Sequence, residues 1–112
     1  MKVAKAVPGL LKALRDKEPL VRSASLQALT QIALTDTPDF PQIVTAMIAA
    51  LSTTEEPVVR QSALDGLTAL GSKAAAQRRE IVEALKAVEA GPNPGLAGKA
   101  RLMLAPGGVY AP

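Results

Sequence analysis

Two arginines, Arg22 and Arg60, stand 38 residues apart at the same place in two nearly identical stretches, PLVRSASLQALTQIA from Pro19 and PVVRQSALDGLTALG from Pro57. A guanidinium presents its donors in a planar fork, so a repeated pair of them could clamp a phosphate. Little else in the chain could do chemistry. There is no histidine and no cysteine. That removes the usual general base at neutral pH, the common nucleophile–base pairs, disulfides and thiolate metal sites. The carboxylates of Glu55 and Glu56 are adjacent, but neighbours in a connector point into solvent. The run PGG at 106–108 is followed by a tail and not by a helix, so it is no phosphate loop. The expectation is a protein that is not an enzyme and that holds neither metal nor cofactor.

The positive charge is the next feature that could bind something. Thirteen basic residues face ten acidic ones, a net +3. Lys2, Lys5 and Lys12 share a rough stripe near the N-terminus, and Lys73, Arg78 and Arg79 cluster further on, offset by Glu80 and Glu83. A dedicated nucleic-acid binder shows a concentrated stripe rather than a mild surplus. Phe40 and Tyr110 are the only aromatics, which leaves little for a base to stack on. Contact with nucleic acid through these cations is the alternative to protein binding. No run of eighteen apolar residues occurs, so no transmembrane helix is expected. Met1–Arg15 is basic and loosely fits a transit peptide, but Lys5 and Lys12 interrupt any apolar core and serine is missing. It reads as the first structural helix, and the default location is the cytoplasm.

The elements that must position these residues are helices. The composition is 48% hydrophobic, with twenty-one Ala and fifteen Leu, which suits closely packed helices better than sheets. In the first quoted stretch Val21, Ala24, Ser25, Ala28, Leu29, Ile32 and Ala33 recur at helical spacing, and predict one buried face. In the second, Val59, Ser62, Ala63, Gly66, Leu67 and Leu70 do the same. Each stretch starts on a proline, as a first helical turn tolerates, and Gly71 stands where a C-terminal cap is expected.

Another helix precedes each one. Val7, Leu10, Leu11 and Leu14 form its face, Val44, Met47, Ile48 and Leu51 repeat it, and Ile81, Ala84, Leu85 and Val88 repeat it again. DTPDFP supplies N-cap residues and first-turn prolines for the second of these. Short connectors predict antiparallel hairpins. A degraded third copy of the quoted stretch, PGLAGKARLMLA from Pro94, has Ala97 in place of the arginine. The whole reads as three hairpin units at about 1–35, 36–72 and 73–105, followed by a Gly/Pro-rich tail at 106–112. A period of this length means stacked hairpins, none of which can bury its face alone.

The unit VPGLLKALRDKEPLVRSASLQALTQIA resembles a HEAT repeat, including the HEAT-like repeats of the phycobilisome-lyase type. Pro8 lies in the first helix, Asp16 in the turn, Val21-Arg22 at the start of the second helix, and Ala28-Leu29 beyond. The second unit keeps Val59-Arg60, Ala63 and Leu67, lacks the first-helix proline and has Thr54 at the Asp position. The third keeps the apolar skeleton alone. The resemblance implies an all-α, right-handed solenoid of three HEAT-like hairpins, about six helices. It also implies a ladder between repeats. Arg22 would pair with Asp16, Glu55 or Glu56, and Arg60 with a neighbouring carboxylate, fixing the stacking angle.

A solenoid of this kind offers extended surface for a protein partner. Gln27, Gln61 and Asp65 are candidate contacts on the second-helix face. At the C-terminal end, Lys99 and Arg101 are the only charges between Gly95 and Ala105, and Leu96, Ala97, Leu102, Val109 and Tyr110 are candidate apolar contacts. The tail could instead fold back, with Val109 or Tyr110 over Leu102. The expected function is a protein-binding scaffold or adaptor, a small subunit docked in a larger assembly. The alternatives are a HEAT-like nucleic-acid-associated protein and a chaperone-like lyase-type factor for a pigment protein.

Overall fold

The computed structural model describes residues 6–112. They form α1 (Ala6–Ala13), α2 (Pro19–Ala33), α3 (Phe40–Ala49), α4 (Pro57–Leu70), α5 (Arg78–Glu89) and α6 (Pro94–Leu104), with a 3-10 stretch at Gly71–Gln77 between α4 and α5. No strand occurs among the described residues. The helices pair as α1–α2, α3–α4 and α5–α6, and α2 lies along α4 as the most extensive contact between hairpins. The molecule is a slab of 40 × 30 × 16 Å.

Proline in the first turn begins α2, α3, α4 and α6, where its missing N–H has no helical partner to lose. Asp39, at the N-cap position of α3, makes no side-chain cap. The Thr37 hydroxyl in DTPDFP instead accepts from the Asp39 N–H at 3.2 Å. Asn93 does cap α6, its Oδ1 accepting from the Leu96 N–H at 3.1 Å. Gly71 ends α4 with φ of 49°, a left-handed conformation that glycine adopts at least cost.

One continuous core runs through all three hairpins. Leu26, Leu29, Ile43, Met47, Leu64, Leu67, Ile81 and Leu85 are fully buried in it. The expected faces of α3, α4 and α5 are the observed ones, with Ile43, Arg60 and Leu64 buried as well. That of α2 is observed at Ser25, Leu29, Ile32 and Ala33 but is wider than expected: Ser23, Leu26 and Thr30 are buried as well, whereas Val21 and Ala24 near its start are exposed.

The reason is that α2 is covered on two sides, by α1 and by α4. Small residues are buried on both sides, with their hydroxyls satisfied by hydrogen bonds. Ser25 Oγ donates to the Val21 carbonyl and Thr30 Oγ1 to the Leu26 carbonyl, both at 2.8 Å. Ser23 and Ser62 share a hydrogen bond across the two helices. At Gly66 a Cβ would come within 2.6 Å of both Met47 Cε and Thr30 Oγ1. The missing side chain is what lets α2, α3 and α4 converge there.

Candidate docking surface

Arg22, four residues into α2, reaches the connector before α4. Its Nε and Nη2 donate to Glu55 Oε2 and Oε1 at 3.0 and 2.7 Å, and its Nη1 donates to the Asp16 carbonyl at 2.6 Å. Hydrogen bonds from this fork hold the Glu55 carboxyl below the usual carboxylate range. The Asp16 carboxylate accepts from the Glu18 N–H instead (2.9 Å), and Glu56 meets Glu55 only through its main-chain N–H (2.7 Å). So one of the three carboxylates the resemblance offered to Arg22 takes it side chain to side chain, and the link joins the first two hairpins.

Arg60, the equivalent residue of α4, has no carboxylate partner among the described residues. It is buried, and its Nε donates to the Leu51 carbonyl at 3.3 Å. The ladder expected of it stops because the next connector, GPNPG, contains no acid. A different bridge joins α4 to α6, on the opposite edge of α4. Asp65 Oδ1 accepts from Lys99 Nζ at 2.6 Å and from Gln61 Nε2 at 3.0 Å. Both Asp65 and Lys99 are well exposed, so this pair adds little stability.

The tail is folded back, but not over Leu102. The Tyr110 N–H donates to the Met103 carbonyl at 2.8 Å, and the Tyr110 hydroxyl donates to the Leu67 carbonyl of α4 at 2.6 Å. Burial pushes the Tyr110 phenol up to about 12. Arg78 Nη2 donates to the Tyr110 carbonyl at 3.1 Å and to the Ala111 carbonyl. Gly108 passes so close to α6 that a Cβ would overlap the Leu102 carbonyl oxygen.

Three of the expected partner contacts are therefore interior. Leu96, Ala97 and Tyr110 are 4%, 5% and 3% exposed, because α6 packs on α5 and the tyrosine fills the remaining end of the stack. Leu102 is 73% exposed and Val109 38%. They border a shallow apolar dish of about 260 Å³ with Thr68, Lys99 and Met103. Gln27 is exposed on α2 beside a small polar groove that also reaches Asp65.

The cations do not gather on one face. Lys73 Nζ donates to the Thr35 carbonyl at 2.7 Å and lies 5.5 Å from the centre of the Phe40 ring. Arg78 holds the tail. Arg79 and Lys12 are exposed at separate helices, and Lys2 and Lys5 lie outside the described residues.

Sequence reasoning missed a cleft of about 520 Å³ between α5 and α6, lined by Arg78, Val82, Lys86 and Glu89 from one helix and Arg101 and Leu104 from the other. The α5 residues recur at helical spacing, a signal present in the sequence. Arg101 Nε lies 3.6 Å from Glu89 Oε2.

Residues 6–35, which hold the α1–α2 hairpin, match the family model of the HEAT repeat. No curated protein and no solved structure matches the chain significantly.

Proposed function

We propose that this chain is a non-enzymatic protein-binding scaffold or adaptor. We take it to be a right-handed solenoid of three HEAT-like hairpins that docks on a larger protein assembly through its C-terminal end. HEAT repeats generally mediate protein interactions, and the first hairpin matches that family. The observation that carries the reading is Leu102. A leucine 73% exposed, on an end already closed by its own tail, is a large apolar group with no intramolecular cover. With Val109 beside it and a dish between them, it has the form of a small anchor point rather than a scattered surface residue.

The test is affinity isolation of the intact chain from its native cell extract, beside a Leu102→Asp variant whose helical content matches. A defined protein that survives high salt and is lost with the variant supports the reading. Equal capture by both proteins overturns the assignment of the surface. Recovery of nucleic acid alone, vanishing at high salt, overturns the function.

A further inference from the structure

The cleft between α5 and α6 carries a charge pattern that the Leu102 surface does not use. We infer that it binds an acidic peptide segment that carries an aliphatic or aromatic anchor. The inference rests on the protein-binding reading above and names the chemistry of the segment bound.

Three cationic side chains and one carboxylate side chain line the cleft, together with Pro112 of the tail. The Arg78 guanidinium is tied to main-chain carbonyls, which leaves its charge uncompensated. Lys86 has no ion-pair partner among the described residues, and Arg101 meets Glu89 only at 3.6 Å with its side chain 67% exposed. Between these charges lie Val82 and Leu104, both half-buried and packed against the core. A concave site with low-dielectric walls and a surplus of positive charge focuses its field on an incoming anion. Its volume of about 520 Å³ falls among sites that enclose a ligand of a few hundred Å³. The apolar floor between separated cations fits a hydrophobic side chain flanked by carboxylates.

A nucleic acid fits less well. Tyr110, the one aromatic at the cleft, is 3% exposed and spends its ring on the core, so no face is free to stack on a base.

The test selects short displayed peptides on the intact protein and measures a synthetic consensus peptide by fluorescence anisotropy. Enriched sequences should place Asp or Glu around an aliphatic or aromatic residue. A Lys86→Glu/Arg101→Glu variant should weaken the consensus peptide by about tenfold or more, since like charges across a contact are costly. A Lys12→Glu/Arg79→Glu variant carries the same change of net charge outside the cleft and should bind as the parent does. Both variants alter exposed residues, and thermal melts verify that they fold. Enrichment without acidic residues, no enrichment, equal weakening in both variants, or a single-stranded oligonucleotide binding as tightly as the peptide overturns the inference. The assay needs no cellular partner, so its failure leaves the Leu102 experiment standing on its own result.

Discussion

Tyr110 is the only tyrosine and the chain has no tryptophan, so one phenol reports on the closed end of the molecule. Its pKa of about 12 in the fold lies above the value near 10 of an unfolded chain. A raised pKa means that the folded state holds the proton more tightly. The corresponding stability is complete below about pH 10 and is lost as pH rises towards 12. Phenolate absorbance should therefore appear late in an alkaline titration, together with loss of helix, and Tyr110→Phe should unfold with a flatter dependence in that range. A phenol that titrates near 10 with the fold intact would show that the ring is not held. At neutral pH the same substitution should cost about 0.5–1.5 kcal/mol, the net worth of one hydrogen bond. The cost stays modest because the Leu67 carbonyl also accepts from the Gly71 N–H.

Among elements, the close contact of α2 with α4 is set by what is absent from Gly66. Gly66→Ala adds helix propensity of up to about 1 kcal/mol, but its Cβ meets the Thr30 hydroxyl, which its own bond to Leu26 holds in place. Overpacking should win, with a net loss of about 1–3 kcal/mol. At Gly98 in α6 nothing lies within 4 Å of an added Cβ, so Gly98→Ala should stabilise by up to about 1 kcal/mol. Denaturant melts of the two variants should move in opposite directions, and movement in the same direction would refute the account. This contact also marks where the sequence was legible. The faces of α3 and α5 were readable because their large aliphatic residues recur at helical spacing. That of α2 was legible in part: Ser25, Leu29, Ile32 and Ala33 are buried as expected, but hydrophobicity hides the fact that Ser23 and Thr30 can be buried once their hydroxyls find a carbonyl or a facing serine. The place of Tyr110 was half legible. The sequence left open whether the tail returns or meets a partner, because its seat against Leu67 depends on the turn at Gly71 and on Arg78 across the cleft.

For the whole molecule, the joints between hairpins are unequal. The first has the forked Arg22–Glu55 pair, the shared serine hydroxyls and the length of α2 on α4. The second has a shorter α4–α6 contact, an exposed Lys99–Asp65 pair and the tail. Stacked arrays open at their weaker interfaces. Native-state hydrogen exchange should show α5 and α6 opening at lower free energy than α2 and α4. Gly108→Ala, which drives the tail off α6, should speed exchange in the first group and leave the second unchanged. Uniform protection along the chain would show that the joints are equal. Arg60 gives the stack a direction of growth. It is buried at the position in α4 that Arg22 holds in α2, with no acid to meet. Tandem duplication of residues 36–72 would bring a second Glu55 connector up to it, so the array can lengthen from its middle with no new side-chain chemistry. Duplicating the third hairpin would offer only GPNPG and a sealed end.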